Sequence, residues 1–139
     1  MNFLPVYLDS SAIVKLVVPE PETDALLEAL GRWSDRVSVS MARVEVHRAL
    51  RRTGRPRSAH ARADAVLEGL VLLRVDDPLL DRAAALKNRQ LRTLDAMHLA
   101  ASLAIGDAPD AFITYDARLA RAARRERLNV LHPGAAGLG

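Results

Sequence analysis

The chain has 139 residues, half of them apolar, which is enough for a single domain, residues 1–139, with a buried core. It contains no cysteine, which excludes disulfides, thiolate metal sites and a cysteine nucleophile and agrees with a reducing, cytoplasmic location. The formal net charge is +3, arginine supplies nearly all the positive charge, and no apolar run reaches the roughly 20 residues of a membrane span, so no membrane segment is expected.

Short apolar runs and helix-capping residues predict strands and helices in alternation. A first strand at 6–8 ends at the polar group DSS, 9–11, which is suited to cap the helix AIVKLVV. A second helix, ETDALLEAL, follows Pro21. A second strand at 37–39 leads to Ser40, the predicted cap of the helix MARVEVHRALRRT.

The second half of the chain continues this alternation. The helix HARADAVLEGL precedes a third strand at 71–75, and the helix LLDRAAALKNR follows a turn that contains Pro78. Thr93 is the predicted cap of a strongly apolar helix at 94–105, and a turn is predicted at 107–110. The remaining predicted elements are a strand at 111–114, a helix at 117–126, a strand at 129–131 and a flexible tail at 133–139.

Strands that alternate with helices imply right-handed crossovers between parallel neighbours. We therefore predict an α/β fold with a mainly parallel central sheet of four to five short strands. Helices should cover both faces of the sheet, in three layers α/β/α. The carboxyl ends of the strands and the amino ends of the helices that follow them then share one edge.

Four acids fall at positions that this edge should bring together. Asp9 directly follows the first strand, and Asp116 lies two residues past the fourth. Glu45 and Asp95 lie near the amino ends of helices that begin at the same edge. We expect the four side chains to line one pocket.

Carboxylates that lie together without cationic partners repel one another unless a divalent cation neutralises them. Oxygen ligands suit Mg²⁺ or Mn²⁺, and a bound ion can activate water and polarise a phosphoryl oxygen. The sequence therefore predicts metal-dependent hydrolysis of a phosphodiester, with the four acids as metal ligands and catalytic residues. The hydroxyls of Ser10, Ser11 and Thr114 could orient a carboxylate or a water, and the alternative is that each only caps or ends an element.

Each acid also has a purely structural interpretation. Asp9 and Asp116 could be N-caps, and Asp95 could be a first-turn residue favoured by the helix dipole. This interpretation explains Glu45 poorly, because Glu45 interrupts an otherwise apolar helix face. It also explains Asp95 poorly, because the helix that Asp95 opens is apolar on both faces. A shared metal site explains all four acids.

Four segments of this chain are, in order, YLDSSAIVKL, SMARVEVHRAL, LRTLDAMHLAAS and ITYDARLARAARRERLNVL. They are similar to the successive motifs of the PIN domain. The chain resembles in particular the VapC toxins of bacterial type II toxin–antitoxin pairs, which are single-domain PIN ribonucleases. This resemblance implies a PIN-like fold and an endoribonuclease that uses Mg²⁺ or Mn²⁺ to direct water onto an RNA phosphodiester. It assigns the catalytic and metal-binding roles to Asp9, Glu45, Asp95 and Asp116, and it implies that Thr114 helps to position the metal cluster.

The resemblance also implies partners. RNA is the implied substrate, and a VapB-like antitoxin is the implied protein partner, whose C-terminal segment blocks the acidic pocket, often with basic side chains. Toxins of this group commonly form homodimers, so a homodimer is expected by analogy.

The densest basic stretch, HRALRRTGRPR, begins two positions after Glu45. Its arginines could grip RNA phosphates beside the scissile bond. The alternative is a solvated helix end whose cations match the helix dipole. The predicted RNA-binding residues are Arg48, Arg51, Arg52 and Arg55. His98, three positions after Asp95, is interpreted as a packing or supporting residue rather than a ligand.

Two other functions are considered. An Asp after the first strand is also the nucleophile of haloacid dehalogenases and receiver domains, but DSS at 9–11 lacks the second Asp of the former, and no lysine ends a later strand as the latter require. A non-catalytic protein could instead use the acidic pocket to capture a basic peptide. In that case Asp9→Asn and Asp95→Asn would leave any cellular effect intact.

Overall fold

The computed structural model describes residues 4–106 and 108–137. Within them, five short strands form one sheet in the order β3-β2-β1-β4-β5, and every neighbouring pair is parallel. The strands are β1 Val6–Leu8, β2 Arg36–Val39, β3 Val71–Leu73, β4 Ala111–Ile113 and β5 Val130–Leu131. The predicted parallel sheet is confirmed.

Seven helices lie between or after the strands in the described part of the chain. They are α1 Ser10–Val17, α2 Thr23–Leu30, α3 Ala42–Arg52, α4 Arg57–Glu68, α5 Asp77–Ala84, α6 Thr93–Leu103 and α7 Ala117–Arg125. None of these helices has the length and hydrophobicity that crossing a bilayer requires.

The two faces of the sheet bury different side chains, because successive residues of a strand point to opposite faces. Val6 and Leu8 of β1 pack with the apolar faces of α1 to α4, whereas Tyr7 packs with those of α5 to α7. In β4, Ile113 belongs to the first core and Phe112 to the second. Helices therefore cover both faces, which confirms the predicted α/β/α layers.

Two predicted helix caps are wrong. Ser40 does not cap α3, which begins two residues later, at Ala42; the backbone N–H of Ser40 donates to the Leu73 carbonyl (2.8 Å) and continues the pairing of β2 with β3. Met41 holds the cap position of α3 and makes no side-chain cap bond. Thr93 is already the first residue of α6, and Arg92, with extended backbone, precedes it.

The C-terminal segment returns to the body of the protein. The Tyr115 hydroxyl donates to the Pro133 carbonyl (2.8 Å), and Gly134 lies so near α2 that an added Cβ would be 3.0 Å from the Cβ of Ala25. Residues 138 and 139 of the predicted flexible tail lie outside the described residues, as does Asp107 of the predicted turn at 107–110. Flexibility of the tail stays a prediction.

Candidate active site

Four acids from four distant segments line one cavity of about 260 Å³ at the carboxyl edge of the sheet. Asp9 follows β1 and precedes α1, and Asp116 follows β4 and precedes α7. Glu45 and Asp95 lie in the first turns of α3 and α6. The structure thus brings together all the acids that the strand-end argument singled out.

Asp9 is the most buried of the four acids, with 3% of its surface exposed. Its Oδ1 accepts hydrogen bonds from the Ser11 hydroxyl (2.7 Å) and the Ala12 N–H (2.9 Å), so it also caps α1. Its Oδ2 accepts from the Thr114 hydroxyl (2.5 Å). Burial raises the pKa of Asp9 above its ordinary value, although neighbouring His98 and these hydrogen bonds act in the opposite direction.

Glu45 is held by a buried polar network. Its Oε1 accepts from the Ser10 hydroxyl and from Nε2 of His98, both at 2.7 Å. The other ring nitrogen of His98, Nδ1, is hydrogen-bonded to the Tyr7 hydroxyl at 2.8 Å. Burial acts to raise the pKa of Glu45, but the hydrogen bond and charge of His98, with Ser10, lower it below its ordinary value.

Asp95 is half-buried, and within the described residues its carboxylate has neither a hydrogen bond nor an ion pair. Burial raises its pKa, and the charges of Asp116, Asp9 and Glu45 raise it further, while His98 opposes the shift. Asp116 lies exposed at the rim of the cavity and caps α7 by accepting from the Leu119 N–H (3.0 Å). Asp9 and Asp116 therefore both cap helices, as the structural interpretation predicted, and both also line the shared cavity.

The cavity has little cationic compensation. Across residues 4–106 and 108–137, no arginine or lysine forms an ion pair with any of the four acids, and His98 is the basic group that Glu45 contacts. No group of three or more His, Asp or Glu side chains in these ranges is arranged to hold a metal ion as it stands. Mg²⁺ and Mn²⁺ take hard oxygen ligands, and Mg²⁺ binds proteins through one or two carboxylates while retaining several waters. The donor set fits such an ion.

The three predicted supporting hydroxyls all contact an acid. Ser10 donates to Glu45, whereas Ser11 and Thr114 donate to Asp9. Two of them also connect to the segment after β4, because Ser11 accepts from the Tyr115 N–H (2.9 Å) and Thr114 accepts from the Asp116 N–H (3.0 Å).

Only one of the four predicted RNA-binding arginines lines the acidic cavity. Arg52 lines the acidic cavity, whereas the other three are exposed residues that are not among its lining. The three are Arg48, Arg51 and Arg55.

A second cavity of about 410 Å³ adjoins the first, because Asp95 and Asp116 line both. Its basic lining residues are Arg92 and Arg118, which the sequence analysis did not single out. The sequence did contain one indication of their location, because each lies close to an acid of the cavity. Arg92 is three positions before Asp95, and Arg118 is two positions after Asp116.

Comparison with known proteins identifies the family of the chain. A family model of the PIN domain matches residues 6–125, a range that contains all four acids of the cavity. Ribonuclease VapC46 of Mycobacterium tuberculosis (strain ATCC 25618 / H37Rv) is 47% identical over 128 residues, which cover 92% of this chain and 97% of that protein.

Solved structures share the fold. The crystal structure of M. tuberculosis VapC20, a sarcin–ricin loop cleaving toxin, has a TM-score of 0.67 at 18% identity and covers 84% of this chain and 94% of its own. A toxin–antitoxin complex from Klebsiella pneumoniae has a TM-score of 0.63 at 16% identity, with 81% and 88% covered. At these identities the likeness establishes the architecture alone.

Proposed function

The chain belongs to the PIN domain family, and we propose that it is an endoribonuclease toxin whose RNA cleavage depends on Mg²⁺ or Mn²⁺. The family match confirms the resemblance identified in the sequence, and the relative that is 47% identical is a ribonuclease. One observation supports the site most strongly: four carboxylates from distant segments line one cavity, and no arginine or lysine of the described residues pairs with them.

The residues that would hold the ion are Asp9, Glu45, Asp95 and Asp116. When bound, a divalent ion supplies positive charge that polarises a phosphoryl oxygen and lowers the pKa of a nearby water. Ser11 and Thr114 fix the carboxylate of Asp9, so this acid needs little rearrangement during the reaction. Asp95 has no competing hydrogen bond in the described residues, so both its oxygens are available to the cavity.

Arginines on two sides of the acids support an RNA path across the site. Arg52 lines the acidic cavity, and Arg92 and Arg118 line the adjoining one. Guanidinium groups suit phosphates because they donate two parallel hydrogen bonds to an anion. We infer that the scissile phosphate lies at the acids while flanking phosphates contact these arginines.

We propose that an antitoxin is the protein partner of this chain, since the relative that is 47% identical is a VapC ribonuclease and one of the structures with the same fold is a toxin–antitoxin complex. We infer that a basic segment of the antitoxin covers the acidic cavity, since a cation from a partner would relieve the same repulsion as a metal ion. A homodimer and a cytoplasmic location stay predictions from the sequence.

The alternative of a non-catalytic peptide-binding protein is not favoured. A ribonuclease relative covers 92% of this chain, and the PIN match contains every acid of the cavity. The buried position of Asp9, fixed by two hydroxyls, suits a rigid site better than an open surface for a peptide.

The test is cleavage of a structured RNA by the unmodified chain and by Asp9→Asn and Asp95→Asn, in Mg²⁺, Mn²⁺, Ca²⁺ or EDTA. Each substitution should reduce cleavage by on the order of 100-fold or more, and EDTA should abolish it. Asp81→Asn, an exposed acid of α5 outside both cavities, is the matched control. Cleavage that continues unchanged in EDTA would overturn the metal dependence.

A further inference from the structure

His98 is a buried polar ring that lines the acidic cavity together with Asp9, Glu45 and Asp95. It lies on α6, three residues after Asp95, and only 2% of its surface is exposed. A buried imidazole is costly unless both nitrogens have partners. Here Nε2 lies 2.7 Å from Oε1 of Glu45, and Nδ1 lies 2.8 Å from the Tyr7 hydroxyl.

Nε2 also lies 3.1 Å from the Ser10 hydroxyl oxygen, so the ring cannot turn without losing its contacts with Glu45, Ser10 and Tyr7. Tyr7 lies on β1, the central strand of the sheet, and its own ring stacks on Phe112 of β4 with centroids 5.2 Å apart. The hydroxyl that holds Nδ1 is thus fixed by the core. As a result, Nε2 points at Glu45 from a fixed position.

Glu45 is the acid that most needs such a restraint, because a glutamate side chain has one more rotatable bond than an aspartate. Its Oε1 accepts hydrogen bonds from both His98 and Ser10, and within the described residues Oε2 accepts none. One oxygen is therefore anchored while the other is left for the cavity.

His98 cannot itself be the ligand in this arrangement. Glu45 in its ionised form can only accept, so Nε2 carries the proton in either charge state of the ring. A protonated nitrogen has no lone pair for a metal, and Nδ1 is directed to Tyr7.

We propose that His98 is a positioning residue that anchors Oε1 of Glu45 and thereby presents Oε2 to the divalent ion. This rests on the proposed metal-dependent function. Outer hydrogen bonds of this kind orient metal ligands in other proteins, and their loss typically weakens metal affinity 10- to 100-fold.

Two substitutions separate the contacts of His98. In His98→Gln the side-chain amide reaches the place of Nε2 and can still donate to Glu45, whereas in His98→Asn the shorter amide reaches the place of Nδ1 and meets Tyr7 alone. Asparagine is one methylene shorter than glutamine, so His98→Asn also leaves the larger void in the core. Mn²⁺ affinity is measured by calorimetry without RNA, and unfolding is measured in EDTA.

We expect His98→Asn to weaken Mn²⁺ binding by roughly 10- to 100-fold and His98→Gln by less than about threefold. His98→Asn should also be the less stable of the two in EDTA, because it leaves the larger void. Cleavage rates should follow the same order. His60→Asn and His60→Gln are the matched controls, because the Nδ1 atoms of His60 and His47 lie 2.7 Å apart on the surface and could add background metal binding. They should leave the affinity of the acidic cavity unchanged.

Equal losses of affinity in His98→Asn and His98→Gln would overturn the positioning role but leave the metal site intact. An unmodified chain that binds no Mn²⁺ would overturn both proposals. If His98→Asn does not fold, Tyr7→Phe tests the proposal instead, because it removes only the hydroxyl that is hydrogen-bonded to Nδ1 of His98. Tyr7→Phe must weaken Mn²⁺ binding, and unchanged affinity overturns the proposal.

Discussion

The Thr114 hydroxyl donates a hydrogen bond to the Asp9 carboxylate, although the two residues are 105 positions apart. Asp9 follows β1 and Thr114 follows β4, and these strands are neighbours in the sheet. Both residues are buried. The bond offsets part of the rise in the pKa of Asp9 that burial causes, so it helps to keep a buried acid ionised.

Thr114→Val should therefore reduce RNA cleavage by roughly 10- to 100-fold, because the isosteric side chain keeps the packing but removes the donor to Asp9 and the acceptor of the Asp116 N–H. Thr114→Ser keeps the hydroxyl and should retain most activity. Single-turnover cleavage in Mg²⁺ compares the variants. If the Thr114→Val variant cleaves RNA as fast as the Thr114→Ser variant, the hydrogen bond from residue 114 to Asp9 is not needed for cleavage.

Asp95→Asn should stabilise the metal-free protein at neutral pH. Burial raises the pKa of Asp95, as do Asp116, Asp9 and Glu45, so ionised Asp95 costs stability in the folded state. A rise in Tm on the order of 1–3 °C in EDTA is expected. The variant also loses cleavage, so stability and activity change in opposite directions.

This stabilisation should depend on pH in a defined direction. Because the folded-state pKa of Asp95 lies above its ordinary value of 3.8, the folded chain binds more protons than the unfolded chain between the two values, and stability falls as pH rises through this window. The advantage of Asp95→Asn should be full above the raised pKa and absent below 3.8. Thermal unfolding across this range in EDTA is the measurement, and an advantage that grows towards acid pH would contradict the explanation.

Mn²⁺ should stabilise the unmodified chain, since an ion that binds only the folded state adds about 2.7 kcal/mol at 100 times its Kd. For a domain of this size the expected rise in Tm is about 5–10 °C. EDTA should reverse it, and Asp9→Asn should show little of it. An equal rise in Asp9→Asn would place the ion elsewhere.

Arg52→Ala and Arg118→Ala should weaken RNA binding without changing the metal site. Measured in an Asp95→Asn background, where the RNA stays intact, each should lower the slope of log affinity against log salt by about 0.7, the value for one contact to a single-stranded phosphate. Arg74→Ala is the control, because Arg74 is exposed and lines a different cavity beside α5. Equal effects in all three variants would indicate unspecific loss of charge.

Features that depend on neighbours in the sequence were predicted well. The alternation of strands and helices and the positions of Asp9 and Asp116 after strands follow from local patterns. The predicted caps Ser40 and Thr93 are each wrong by one residue, since the cap positions are Met41 in α3 and Arg92 in α6, and capping preference fixes a helix start only to within a residue or two. Arg52 was among the arginines predicted from the sequence, but Arg92 and Arg118 were not, because only the fold brings them to the second cavity.

The sequence by itself determined the α/β class, the family and which four acids follow strand ends or begin helices. Strand ends, helix starts and the order of motifs are local features that can be recognised from neighbouring residues. The tertiary structure alone decided the strand order and the pairing of His98 with Glu45 across 53 positions. That contact depends on how α3 and α6 pack against the sheet edge, which is set by long-range burial of apolar surface rather than by any local pattern.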